Sequence, residues 1–251
     1  EYAMDHKKLD YSKAYTIAMP EENRFEKSVL AANLDEPMQM DIMQDGSVLI
    51  AERKGNIKLY NPSTGLIEYI TRMPVHTKYE DGLLGIVLDP AYETNHYVYM
   101  FYSPVGDIPT QHVSRFVLKD KSLDMASEKI ILKIPVQRDE CCHSAGYLKI
   151  GGDGLLYISV GDNTNPFASD GFNPIDERPG RMPWDAQKSS SNTNDLRGKI
   201  LRIRVLPDGS YEIPEGNLFK PGTPKTRPEI FVMGCRNPFR FSVDDRRKLV
   251  H

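Results

Sequence analysis

A chain of 251 residues with 39% apolar and 27% charged side chains has the composition of a folded protein, not of a disordered segment. Its formal net charge of −3 lacks the basic excess by which a nucleic-acid binder or an anionic-membrane binder is recognised, so no nucleic-acid partner is expected. No apolar run approaches the roughly 18 residues of a membrane-spanning helix, so no membrane span is expected.

Residues 1–25 read as a polar linker or lead-in. Their opening, EYAMDHKKLDYSKAYT, does not begin with Met and has no charged start followed by an apolar run, so no signal peptide is read there. From residue 26 the strand signals dominate. GSVLIAERKGNIKLYNP predicts strand, turn at Lys54-Gly55, strand, and a stop at Asn61-Pro62. GIVLDP and YVYMFYS predict two strands around a turn, and HVSRFVLK and KIILKIPV two more. YLKIGGDGLLYISVGD and GKILRIRVLPDGSYEIP predict hairpins about Asp153-Gly154 and Asp208-Gly209, since Asp-Gly between apolar runs is a strong hairpin signal. Helical periodicity is almost absent.

One phrase recurs: apolar strand, turn with aspartate, apolar strand. The turn aspartates Asp45, Asp89, Asp153 and Asp244 stand 44, 64 and 91 residues apart. A unit of roughly 40–50 residues with four strands is a propeller blade. The wider intervals hold insertions, the largest from Asn163 to about Asn194, and long loops of this kind serve a site or an interface. The fourth copy stops inside its second strand. The expected fold is therefore all-β, a β-propeller with about four blades present, C-terminally truncated. The alternative is a complete four- or five-bladed protein. Residues 26–251 are read as this partial propeller.

The three cysteines leave the redox state open. Cys141 and Cys142 are neighbours, which rarely bridge each other; a bridge from Cys235 to one of them is the alternative. Two adjacent cysteines beside one histidine fit a zinc site poorly. The insert offers Asp170, Asn173, Asp176 and Glu177 as oxygen ligands suited to calcium, without an EF-hand pattern; a solvated loop is the plainer expectation.

EDGLLGIVLDPAY, CCHSAGYLKIGGDGLLYISVGDN, NDLRGKILRI and PEIFVMGCRNPFRFSVD, in that order, resemble the soluble quinoprotein sugar dehydrogenases over roughly residues 27–247. The long insert is similar to that of large, secreted, multidomain bacterial members. The resemblance implies a six-bladed propeller that holds pyrroloquinoline quinone, PQQ, with calcium. It implies oxidation of an aldose at C1 to the lactone, with hydride passed to the quinone. It implies His143 as the base that takes the hydroxyl proton, and also as a cofactor contact. Asp162 is implied as the carboxylate that orients the base, and Arg236 and Asn237 as cofactor contacts. Glu80 stands where the family contacts the cofactor with an amide, and this carboxylate departs from the pattern. Asp81 could share its role, and Arg240 stands in the same phrase as Arg236. Metal ligands are not assigned.

Each residue type suits its implied task. An imidazole titrates near working pH and a carboxylate beside it fixes its tautomer. A guanidinium is a fixed planar charge for the developing negative charge on quinone oxygens. The ordinary roles are a loop histidine, an Asx-turn aspartate and a surface arginine. The resemblance further implies a cytochrome c-type or other electron acceptor and a periplasmic or extracellular location. The rival expectations are a non-catalytic glycan- or protein-binding propeller and a calcium-dependent lactone hydrolase. The chain alone, as a fragment, is expected to bind PQQ poorly.

Overall fold

The computed structural model describes residues 21–246 and 249–251. Residues 1–20 of the expected lead-in lie outside the described residues. Two compact units are distinguished, 1–32 and 33–251. The first contains a short 3-10 turn, Glu22–Arg24. Among the described residues, the second carries all the strands.

Three antiparallel sheets follow one another in the chain. The first runs β1 (Pro37–Ile42), β2 (Val48–Glu52), β3 (Asn56–Asn61) and β4 (Leu66–Arg72). The second runs β5 (Leu83–Leu88), β6 (Tyr97–Tyr102), β7 (Thr110–Lys119) and β8 (Ser122–Pro135), with a single helical turn, α1 (Tyr92–Asn95), between β5 and β6. The third runs β9 (Ala145–Ile150), β10 (Leu156–Val160) and β11 (Lys199–Val205). Its outer edge is shared by β12 (Tyr211–Glu212) and β13 (Ile230–Met233), which pair with opposite ends of β11. A two-stranded ribbon follows, β14 (Val243–Asp244) and β15 (Leu249–Val250). The described residues form three sheets of four or more strands, and this ribbon stands where the fourth, incomplete copy was expected.

The recurring aspartate has one local job. Asp45, Asp89, Asp153, Asp208 and Asp244 each accept a hydrogen bond from the backbone N–H two residues on, at 2.8–3.1 Å. That Asx bond satisfies a backbone N–H at the turn in addition to the turn's own backbone bonds, such as Gly154 N–H to Gly151 O, which is why the residue recurs at each such turn.

Successive sheets pack face to face. Leu49, Ile57, Ile86, Met100 and Phe116 form a core between the first and second. Leu84, Phe101, Val113, Leu148, Ile158 and Leu201 form the core between the second and third. Phe241, Val243 and Val250 continue the stack onto Leu155 and Tyr157. A middle strand is covered on both faces, so β10 is buried at every residue and reads as an apolar run, not as an alternation. Each fully buried Leu or Phe contributes roughly 2 kcal/mol of transfer free energy.

The first strands of the sheets converge. A Cβ on Gly85 of β5 would lie 2.2 Å from the carbonyl oxygen of Gly146 on β9, so the contact requires glycine. The Gln39 amide on β1 donates to Leu148 O at 2.7 Å and accepts from Leu148 N–H at 3.1 Å. One side chain thereby satisfies both backbone groups of a buried residue in another sheet. Gln39→Ala leaves that pair without partners, and a loss of about 2 kcal/mol is expected. Urea unfolding measures it; an unchanged midpoint and slope would show that the bridge carries no stability.

Candidate active site

His143 lies in the segment between β8 and β9, buried, with φ +58°. Asp162 is reached two residues after β10 ends, also buried. Their side chains meet: His143 Nδ1 and Asp162 Oδ1 are 2.7 Å apart. The backbone brings them together at Gly161, where a Cβ would lie 1.7 Å from His143 O. Any side chain there displaces the histidine segment.

The same Asp162 oxygen accepts from Thr164 N–H at 2.9 Å and from Thr164 Oγ at 2.8 Å. With the carboxylate as acceptor, Nδ1 carries the proton and donates, which leaves the Nε2 lone pair to accept a proton from elsewhere. Among the described residues every hydrogen bond of the imidazole runs through Nδ1. Thr164 was not singled out from the sequence; the D-x-T spacing of an Asx turn was its one signal.

Asp162 N–H donates to Arg236 O at 2.8 Å, which sets the 234–237 segment against the pair. Arg236 is exposed, and its guanidinium has no hydrogen bond or ion pair among the described residues. Arg240 is engaged instead: it donates to Met38 O and Phe239 O and lies over the Tyr147 and Phe239 rings. Asn237 Oδ1 is buried without a partner. Asn237 lines a cavity of about 290 Å³ with Arg53, Tyr79, Glu80, Ser144 and Phe239.

Glu80 is half-buried in that cavity and accepts from Ser144 N–H at 3.0 Å, one residue from the histidine. Asp81 turns the other way. It accepts from His76 at 3.0 Å, Arg138 at 3.1 Å and Ser144 Oγ at 3.4 Å, so its carboxylate is already spent. Arg53 was not legible as a site residue. Its guanidinium donates to the carbonyls of Thr77, Tyr79 and Asp81 and pairs with Glu36, thereby shaping the Glu80 segment. Its carbonyl partners lie 24–28 residues onward, beyond any local pattern.

Three sequence expectations change. Cys141 and Cys142 are bridged to each other, across a cis peptide bond, and Cys235 is the free cysteine; the disulfide closes the two residues immediately before the histidine. Burial pushes the Cys235 thiol pKa up. The insert is tied by arginines, not arranged around a cation: Asp176 binds Arg178, Arg181 and Ser169, Asp170 binds Arg178, and Glu177 accepts from Gln187. Asn173 donates to Asn165 O. Among the described residues no three His, Cys, Asp or Glu side chains are placed to hold a metal ion.

The glucose / sorbosone dehydrogenase family description matches residues 34–251. The chain is 27% identical to quinoprotein glucose dehydrogenase B of Acinetobacter calcoaceticus over 93% of its length and 49% of that protein's. It is 26% identical to Hedgehog-interacting protein of Mus musculus over 85% of its length and 31% of that protein's. The chain thus spans half or less of these relatives. Among solved structures it is similar to a putative oxidoreductase (glucose dehydrogenase) of Thermus thermophilus, at 26% identity and a TM-score of 0.70, covering 88% of this chain and 58% of that one.

The insert supplies a pH test. The Arg178 guanidinium, with Ser169 and Arg181, holds Asp176's carboxyl well below the usual carboxylate range, against the cost of desolvation. A lowered native pKa gives stability that is fully present above the unfolded value near 4 and is lost progressively as pH falls from there through the lower native value. Trp184, the sole tryptophan, is buried in the insert, donates to Phe167 O and stacks on Arg181. Its emission is expected to shift to the red below about pH 4, and Asp176→Asn should bring the shift to neutral pH. Emission unchanged in the variant would show that the arginine ties do not hold the insert.

Proposed function

This chain belongs to the glucose / sorbosone dehydrogenase family, and we propose that its propeller is the catalytic part of a quinoprotein that oxidises an aldose at C1 to the lactone. The observation that carries the reading is the buried His143–Asp162 pair with its Nε2 unengaged, one residue along the chain from a cavity lined by Ser144, Glu80 and Asn237, whose buried Oδ1 lacks a partner. A quinone acid fits those groups. The buried Asn237 amide needs a hydrogen-bonding partner, and the free Arg236 guanidinium suits a carboxylate or quinone oxygen. Asn237 and Arg236 would hold PQQ, with Glu80 and His143 at its border. When bound, PQQ supplies the two-electron acceptor for the hydride.

The protein's own part is proton handling and charge placement. His143 Nε2 accepts the C1 hydroxyl proton as the hydride leaves. Asp162 holds the tautomer and stabilises the imidazolium that forms. Thr164 and the Arg236 carbonyl keep Asp162 in place. Arg53, which lines the same cavity, lessens the repulsion that Glu80 would exert on an anionic ligand. The described residues do not form a calcium cradle, so no step is assigned to calcium. Electrons leave to a cytochrome c-type or other acceptor, and the family resemblance favours a periplasmic or extracellular setting.

One observation favours a second reading, a propeller that recognises another protein or a glycan: the likeness to Hedgehog-interacting protein, joined to a carboxylate at Glu80. Dye-linked oxidation of a panel of aldoses by the full-length parent, with PQQ and calcium added, decides between them. Turnover is expected only with PQQ. His143→Ala is expected to lower kcat by about 10²–10⁴ and Asp162→Asn by about 10² or more, with PQQ binding retained by absorbance titration. A folded parent that neither binds PQQ nor oxidises any sugar would overturn the dehydrogenase reading and leave the binding module or the lactone hydrolase.

A further inference from the structure

Lys199 opens β11 and is fully buried. A buried ammonium persists only where acceptors replace its water. Nζ donates to the carbonyl oxygens of Arg197 at 2.7 Å, Ser189 at 2.8 Å and Ser190 at 2.9 Å. These three bonds use all the donors an ammonium has. None of the acceptors is a carboxylate; all three are backbone groups near the end of the long insert.

The position of Lys199 in the sheet gives those bonds a consequence. Lys199 pairs with Val160 on β10 and with Met233 on β13. Asp162 follows Val160 by two residues, and Arg236 follows Met233 by three. The fixed insert residues reach both strand ends. Ser190 O accepts from Gly234 N–H at 3.3 Å, and Ser190 Oγ donates to Cys235 O at 2.7 Å. Gly198 N–H donates to Gly161 O at 2.9 Å, and Gly198 O accepts from Cys235 N–H at 3.0 Å. The Asp162–Arg236 backbone bond closes the ring.

We infer that Lys199 is a positioning residue for the sugar oxidation proposed above: its ammonium ties the insert to the two strand ends that deliver Asp162 and Arg236. It fixes the separation between the carboxylate that orients the base and the guanidinium that receives the cofactor. The inference rests on the dehydrogenase reading. Desolvation pushes the Lys199 pKa down to about 8, opposed by the charges of Asp195, Cys235 and Asp162, so the group is still a cation at neutral pH. A compact ammonium with three rotatable donors suits three converging carbonyls, where a planar guanidinium does not.

The test uses the full-length parent with Lys199→Met, Ser190→Ala and, as a surface control, Lys121→Met. The first readout is the labelling rate of the free thiol Cys235 by an aromatic disulfide reagent, without cofactor or sugar. Burial raises the Cys235 pKa and the Lys199 charge lowers it. Loss of the charge alone would therefore slow labelling, and an acceleration reports a loosened segment. Labelling at least about fivefold faster is expected in Lys199→Met and Ser190→Ala and not in Lys121→Met. The second readout is steady-state turnover: kcat about tenfold lower in Lys199→Met with the sugar KM nearly unchanged. If Lys199→Met fails to melt cooperatively, Ser190→Ala, which keeps the buried ammonium, carries the labelling comparison. Unaccelerated labelling in the folded variants, or full kcat in folded Lys199→Met, overturns the inference. An inactive wild type would be the failure of the dehydrogenase reading, and the labelling rates would still decide the tether.

Discussion

The close approach of the first strands of successive sheets is the constraint from which the site follows. Gly85 on β5 meets the Gly146 carbonyl on β9, and Gln39 on β1 holds Leu148 on β9. Candidate residues at the cavity, and their chain neighbours, precede such a strand or its equivalent. Glu80 comes just before β5, His143 and Ser144 just before β9, and Arg236 and Asn237 before β14. Strands that touch force the segments entering them to touch as well. Hence Glu80 and Asp81 reach Ser144 although 63–64 residues separate them. Sheet packing supplies the free energy, and the site is assembled where the converging segments meet.

The polar groups around that point divide into two sets. Asp162, Asp81 and Lys199 are buried and hydrogen-bonded, each in a different way. Asp162 is satisfied by Thr164 and His143, Asp81 by His76 and Arg138, and Lys199 by three carbonyls. A buried charge left unpaired costs several kcal/mol, so these groups hold segments in place. Glu80, Arg236 and Asn237 keep unspent hydrogen-bonding capacity on segments bonded to Ser144 or Asp162 or lining the same cavity. Fixed groups joined to groups with free capacity are what a preorganised site requires, because the ordering is complete before a ligand arrives.

The fold was legible wherever one local signal sufficed. Asp-Gly hairpins and apolar runs placed β9, β10 and β11, and the recurring turn aspartate marked the repeat. β4 was not singled out, because LIEYITR lies at a sheet's outer edge with a mostly half-exposed pattern that does not alternate. The cysteines misled for a different reason. Their adjacency argues against a bridge on ordinary separations, and the backbone resolves this with a cis peptide at that bond. At the site, the histidine and aspartate were found as residue types at a hairpin's two ends. Their 2.7 Å contact, the Arg53 clamp and the Lys199 ring depend on chain segments that meet only in the folded state.

The imidazole itself weighs between the enzyme and the binding reading. A histidine kept only for structure has no need of one ring nitrogen held by a buried carboxylate and the other left open to an incoming group. His143 spends Nδ1 on Asp162 and no described group takes Nε2. Its backbone also sits at φ +58°, a conformation that costs a side-chain-bearing residue of order 1–2 kcal/mol. A recognition surface gains nothing from a charged orienting partner hidden behind such a ring. Proton transfer does, because Asp162 fixes which nitrogen is basic and stabilises the cation once the proton arrives. Arg236 points the same way: Arg240 in the same phrase serves the packing, and Arg236, tied by its carbonyl to Asp162, is left with its guanidinium free.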